Sequence, residues 1–385
     1  MKKLYIIFDQ LPPITSGGLL QTYINLVDYL KNEYDIKIIS VFNTEERNKK
    51  IFDGIDVICL SDYIIDNRFF QIAKYVKNGE YDKIGKAIAS AFYFFLFIPQ
   101  AKRKMSQMVH KDDALISVSP ASSFFIHPKI QFIQDIHINF EYFWGNNKKG
   151  ALQAKLMTTP TLTVFRNKTD AEKGARFFPS TYMYNFTEDI KYDLNSYNLD
   201  QRKNKIIYVG RLSEQKDPLR LLKCAKLMKD QQVSFHLDIY GKGDMEDEMK
   251  KKIKEYQIDD VVTMKGFMKD KKTYRNYSML WMTSKYEGFG LVILEAKANA
   301  TPTISTNWHG GIHEVIDNRN DGFIAENDNE FIEYTKELLN DDAKLIAFSK
   351  NAYHNYNQVF SNQATKKRAI HLIESYKTYT NSVNN

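Results

Sequence analysis

A chain of 385 residues with 43% hydrophobic and 26% charged residues is too long for one compact core and too apolar to be disordered, so two domains of ordinary size are expected. Two cysteines, Cys59 and Cys224, stand far apart inside apolar segments; they exclude a disulfide scaffold and point to a reducing, cytoplasmic compartment. A net charge of +7 suits an anionic small substrate or an anionic membrane surface, and without zinc spacing or an RNA-binding aromatic motif no nucleic-acid partner is expected.

The chain opens on an apolar run too short for a signal peptide, and residues 3–8 read as a first strand. Ser16-Gly17-Gly18 and an amphipathic helix over 19–34 follow, then a strand over 35–42. Strand, glycine loop, helix, strand implies a parallel pair with a right-handed crossover, the start of a doubly wound sheet with Gly17 and Gly18 at its carboxyl edge. Further strands are expected at 55–60, 114–118, 130–136 and 162–165, the third ending in Gln134-Asp135-Ile136-His137. Residues 87–99 are apolar and aromatic and precede Lys102-Arg103-Lys104. They read either as a buried helix with a solvated basic end or as a helix lying on anionic lipid. No apolar stretch is judged to reach the roughly eighteen residues of a membrane span, so peripheral contact at the inner face of the plasma membrane is the most that is expected.

A polar tract over 187–204 reads as a linker between a first domain over 1–190 and a second over 200–363. Alternation then restarts, with strands at 205–209, 235–240, 261–267, 280–283 and 301–306 and helices at 219–229, 245–256, 271–278 and 291–300. The last periodic stretch, 364–379, is expected to pack back on the first domain. Two α/β halves imply a cleft between them as the place for a site.

The chemistry concentrates in Trp281 to Thr303. A strand leads into Ser284-Lys285-Tyr286-Glu287-Gly288-Phe289-Gly290, then into a helix apolar on nearly every side that carries Glu295. Glycines before a buried helix let a ligand approach the backbone, and the free N–H groups of the first turn favour an anion there. Glu295, in apolar surroundings, needs hydrogen-bond donors such as a ribose diol, and Glu287 could meet a sugar ring. The alternative is a helix-terminus acid and a lysine-paired carboxylate. Gly210-Arg211 to Lys216-Asp217-Pro218 follows the second domain's first strand, where Arg211 and Lys216 could meet a diphosphate. Gly241-Lys242-Gly243-Asp244 resembles a dinucleotide fingerprint but has Glu246 at the third glycine's place, which keeps an NAD(P)-dependent oxidoreductase open only as an alternative. No Asp-x-Asp pair occurs, so no metal and no cofactor are expected, and cations and helix N–H groups would neutralise a leaving group.

From Ile206 to about Phe360 the sequence resembles the retaining glycosyltransferases of family 4, which have the GT-B fold, an α/β architecture of two facing Rossmann-like domains. The resemblance rests on the ordered series Tyr208 to Asp217, Ile239 to Gly243, Lys265-Gly266-Phe267, Glu287 to Ala296, Pro302 to Ile304, Gly310-Gly311-Ile312-His313-Glu314 and Asp321-Gly322. The first half matches more loosely, through Gly17-Gly18, His137 and Asn185. The resemblance implies a nucleotide-sugar donor, a UDP-sugar in the expected case, and a hydroxyl acceptor on a cell-surface polysaccharide, glycolipid or lipid-linked carrier. It implies that Arg211 and Lys216 bind the diphosphate, that Glu287 meets the sugar, that Phe289, Gly290 and Leu291 give backbone N–H groups, and that Glu295 holds the ribose. It also places Gly17, Gly18, Gly210, Gly241, Gly266, Phe267 and Gly288 around the donor, with His137 lining the sugar. Lys297 stands where the family usually has Met, and Ala300 where it has Gly. A non-catalytic glycan-binding module and a hydrolase or phosphorylase of the same fold remain alternatives.

Overall fold

The computed structural model describes residues 1–12, 18–52, 54–65, 75–76, 79–137, 140, 158–187, 190–308 and 310–379. The chain divides into two compact units: Met1–Arg166, Asp170–Met183 and Lys366–Asn385 form the first, and Asn167–Thr169 with Tyr184–Thr365 the second.

The first unit is built on seven parallel strands, β1 (Lys2–Phe8), β2 (Tyr34–Ser40), β3 (Val57–Cys59), β4 (Ala114–Ser117), β5 (Ile133–Asp135), β6 (Leu162–Phe165) and β7 (Ser180–Tyr182). They lie in the order β3-β2-β1-β4-β5-β6-β7, with Leu4 opposite both Ile36 and Ala114. β1 and β4 read as continuous apolar runs because helices cover both faces of a parallel sheet. Helix α1 (Gly18–Leu30) makes the first crossover.

Helix α2 (Tyr81–Met108) corrects one expectation. It runs for 28 residues, straight through Pro99 and the basic run that follows it. Its segment Lys83–Met108 is also long and apolar enough to cross a membrane by length and composition, contrary to the sequence reading. One face nevertheless belongs to the core: Ala87, Phe94, Phe97, Ala101 and Met105 are buried, and the Phe94 ring lies 4.8 Å from Phe125 and 5.8 Å from Phe42. Pro99 is exposed, so the backbone partner it lacks faces water.

The second unit holds six parallel strands, β8 (Lys205–Val209), β9 (His236–Tyr240), β10 (Val262–Gly266), β11 (Met279–Met282), β12 (Thr303–Thr306) and β13 (Gly322–Ala325). Their order is β10-β9-β8-β11-β12-β13. Helices α4 (Pro218–Asp230), α5 (Glu246–Glu255) and α6 (Leu291–Ala298) connect them, and α7 (Asp328–Asn340) and α8 (Asp342–Asn355) follow; α3 (Lys168–Gly174) lies earlier in the chain. The expected helix over 271–278 is a 3-10 segment, Lys271–Asn276.

The tract read as a linker is packed into the second unit. Arg202 is fully buried and donates to the carbonyls of Asn299 and Ala300 at 3.0 and 2.8 Å and to Tyr192 Oη at 3.1 Å. A buried guanidinium bonded to several acceptors is held, not solvated. The last helix, α9 (Asn362–Ser375), reaches the first unit, where Arg368 donates to Tyr182 O at 2.7 Å and Tyr376 Oη to Gln131 O at 3.1 Å.

Candidate active site

In the second sheet the chain order reverses between β8 and β11, so the loops after these neighbouring strands diverge and leave a crevice at their carboxyl ends. Both motif turns sit there. Lys285 N donates to Gln215 O at 2.9 Å, Gln215 Nε2 to Tyr286 O at 3.0 Å, and Thr283 Oγ1 to the carbonyls of Lys216 and Asp217 at 3.2 and 3.1 Å. The two turns are therefore stitched into one piece.

That stitching brings Lys216 and Glu287 into contact. Lys216 Nζ donates to Glu287 Oε1, and Ser284 Oγ donates to the same oxygen at 2.6 Å. The two side chains are only 18% and 10% exposed, which keeps the pair in place. An ammonium carries three N–H donors, so Lys216 keeps two for other oxygens, while Glu287 Oε2 stays open to an incoming hydroxyl. Arg211, in the same loop, is exposed and its guanidinium has no partner among the described residues.

Helix α6 starts at Gly290, whose φ of 77° lies in the left-handed region that glycine adopts without strain. No side chain caps it, so the N–H groups of its first turn point into the crevice, beside Leu291. Phe289 is buried with its ring 5.2 Å from that of Tyr184, and Gly288 O accepts from Asn167 Nδ2 at 3.2 Å. Glu295, on the second turn of α6, is the lysine-paired carboxylate that the sequence left open. Lys271 Nζ lies 2.7 Å from Oε1, and Tyr274 Oη donates to Oε2 at 3.2 Å. Burial and the neighbouring carboxylate push the Tyr274 phenol up, so it remains a donor. Each Glu295 oxygen is thus held by one donor and keeps a lone pair, an arrangement matched to a vicinal diol.

The remaining glycines have other uses. A Cβ on Gly241 would sit 1.9 Å from Gly210 O, and one on Gly243 2.2 Å from Leu212 O. The glycines that resembled a dinucleotide fingerprint are required where two backbone turns cross. Gly266 closes β10, and Phe267 beyond it is 71% exposed. Glu314 accepts from Lys168 N and Thr169 N at 2.7 and 2.8 Å and is fully engaged there.

His137 belongs to the first unit and to a separate cluster. Arg166, just after β6, bonds Asp135 Oδ2 at the end of β5, as does Tyr23 Oη from α1 at 2.5 Å; His137 Nε2 lies 2.9 Å from Arg166 Nη2 and 3.2 Å from Asp135 Oδ2. Burial pushes the Asp135 carboxyl up, but Arg166 and His137 outweigh it and hold it at about 2. Burial first, and Arg166 second, push His137 down, so its imidazole is neutral at pH 7. Gly18 opens α1, whereas Gly17 lies outside the described residues.

Sequence reasoning missed Ser284, Lys271, Tyr274 and the Asp135–Arg166–Tyr23 cluster. Ser284 was findable, as a hydroxyl three residues before an acid in a tight turn. A surface cavity of about 380 Å³ lined by Tyr192, Asp270 and Arg275 includes none of the site residues. Among the described residues no group of acids, histidines and cysteines could hold a metal ion.

These two sheets define a GT-B type fold. Residues 189–355, less than half of the chain, match the family described as glycosyl transferases group 1. A poly(ribitol-phosphate) alpha-N-acetylglucosaminyltransferase of Staphylococcus aureus is 26% identical over 180 residues, 46% of this chain but only 36% of that protein. An alpha-1,4-N-acetyl-D-galactosaminyltransferase of Campylobacter jejuni, named for a diNAcBac-PP-undecaprenol acceptor, is 24% identical over 343 residues, 86% of this chain and 87% of its own. A variant of Staphylococcus aureus TarM in complex with fondaparinux, alpha-GlcNAc-glycerol and UDP superposes with a TM-score of 0.73 at 14% identity, covering 97% of this chain and 100% of that one, a likeness of fold.

Proposed function

We propose that this protein is a glycosyltransferase that moves a sugar from a UDP-sugar to a hydroxyl of a bacterial cell-surface polysaccharide, glycolipid or lipid-linked acceptor, with retention at the anomeric carbon and without a metal. The observation that carries the proposal is the Lys216–Glu287 contact at the point where the second sheet reverses, inside the segment that matches the glycosyltransferase family.

Lys216 and Arg211 take up the charge that grows on the departing diphosphate, with the first N–H groups of α6 beside them. Glu287 Oε2 accepts from a donor-sugar hydroxyl, and Glu295 accepts from both ribose hydroxyls. For His137 the family resemblance assigns contact with the donor sugar, and its neutral ring suits a hydrogen bond more than proton transfer. The UDP of the TarM complex supports the nucleotide, and the acceptors named for the relatives support the acceptor class. Both relatives are alpha-transferases by name; an alpha product from an alpha-linked donor is what retention yields. Metal independence rests on the missing Asp-x-Asp pair and on Lys216 and Arg211, cations that would neutralise the leaving diphosphate in a metal's stead.

The test is a thermal-shift panel of nucleotides followed by UDP release with and without acceptor. UDP and UDP-sugars are expected to raise the melting temperature, because they bind the folded state alone, and an acceptor to accelerate release. A response to NAD(P) instead of UDP would overturn the reading, and release independent of acceptor would make the protein a hydrolase.

A further inference from the structure

Helix α2 leaves large apolar side chains in water. Ile88, Phe92, Phe95 and Leu96 are 55%, 67%, 50% and 61% exposed, against complete or near-complete burial of Ala87, Phe94, Phe97 and Ala101 on the other side of the helix. At 3.6 residues per turn, Tyr81, Ile88, Phe92, Phe95, Leu96 and Pro99 fall within an arc of about 120° opposite that core face. Lys102 and Arg103 continue the same arc one turn further on. Tyr63, whose ring lies 4.1 Å from Tyr93, and its exposed neighbour Ile64 widen the apolar strip. Scattered apolar residues on a surface need no explanation, but a continuous strip along one helix face does.

We infer that this face of α2 docks on an anionic lipid bilayer, with the helix axis in the plane of the membrane. The core face of the helix is packed on the first sheet, so a span would have to strip Phe94, Phe97 and Met105 from it; contact is limited to the outer arc. On that arc aromatic and aliphatic side chains reach the depth of the headgroup boundary, with Tyr81 and Tyr63 at the interface. Charge selects the lipid. Lys102 and Arg103 have no partner among the described residues, whereas Lys83 is paired with Glu80 and Lys104 Nζ is bonded to Leu60 O at 2.6 Å. Free cations beside an apolar strip fit an acidic headgroup layer, and they disfavour a second copy of the same strip, which would bring like charges together. The docking does not depend on the transfer reaction.

The experiment is co-sedimentation of the full-length protein with phosphatidylglycerol-containing and with pure phosphatidylcholine vesicles, at low and high salt, beside sedimentation velocity without lipid. Wild type should pellet with the anionic vesicles and be released by salt. Phe92→Ser/Phe95→Ser/Leu96→Ser, which touches only exposed positions, should bind at least tenfold more weakly with its melting temperature preserved. Lys102→Gln/Arg103→Gln should lose about five-fold per cation on anionic vesicles and nothing on neutral ones. Both variants should keep the UDP thermal shift, which separates this inference from the donor-site reading. Wild type left in the supernatant with anionic vesicles would overturn it. So would a lipid-free dimer that the triple-serine variant dissolves, or membrane attachment that survives carbonate extraction.

Discussion

Replacing Lys216 by Met shortens the side chain by one atom and removes its charge and three donors. In the folded protein one of those donors is spent on Glu287 Oε1, which also accepts from Ser284 Oγ at 2.6 Å. The substitution therefore has two effects of different size. Glu287, 8% exposed, keeps one hydrogen bond and loses its counter-charge, which costs about 1–3 kcal/mol of stability. On the proposed reaction coordinate the loss is larger, because the two donors left over would face the anion that forms as a diphosphate departs. Removing one preorganised donor to a developing anion costs roughly 10²- to 10³-fold in turnover, about 3–4 kcal/mol. Since the charge grows during bond breaking, kcat should fall more than KM rises. The assay is steady-state UDP release with acceptor present, run beside a melting curve so that unfolding is not read as lost catalysis. Turnover of Lys216→Met within threefold of wild type, in a folded protein, would refute the assignment of the leaving group to Lys216.

Lys297 and Asp321 form a fully buried pair at 2.6 Å, with Asn355 also on the ammonium, so the lysine is partnered where the glycosyltransferases that the sequence resembles usually have Met. Lys297→Met should destabilise the protein by about 3–5 kcal/mol in urea titration, and Lys297→Met/Asp321→Asn should regain much of it, because the cost lies in the stranded charge. Ala300, just past α6, has φ of 52°, and the family's Gly would relieve it: Ala300→Gly should leave stability unchanged or raise it by up to about 1 kcal/mol. Asp135, held at about 2 when folded, contributes stability that is present above the ordinary carboxyl pKa near 4 and lost as pH falls from about 4 to about 2. The urea-midpoint advantage of wild type over Asp135→Asn should therefore shrink across that window. His137 is pushed down, so the unfolded chain takes up a proton below about pH 6.5 that the folded one refuses; stability falls with pH there, and His137→Gln should remove that slope.

The strands were legible because parallel sheets bury both faces: residues 205–209 and 162–165 are apolar runs whose ends fell where they were read. The two motif turns were legible because a glycine or proline fixes where strand becomes helix, at Pro218 and Gly290. What escaped were partners distant in sequence. Nothing near Glu295 announces Lys271 and Tyr274, which reach it from the 3-10 segment after β10. Arg202 looked like one more charge in a polar tract, yet it is buried against carbonyls at the end of α6. Asp135 ends β5, opposite Val164, and Arg166 follows the paired strand β6, so neighbouring strand ends were the signal that could have joined them. Helix α2 passes through Pro99, whose missing N–H falls on the exposed side.

The proposed donor site is one grip: cations for the diphosphate and Glu295 for the ribose of a single nucleotide. Calorimetric titration of UDP and of uridine into wild type, Lys216→Met and Glu295→Ala tests it directly. UDP should bind wild type and weaken at least tenfold in both variants, while uridine should be weakened by Glu295→Ala and unaffected by Lys216→Met. Equal UDP affinity in all three proteins, or none in wild type, would contradict it.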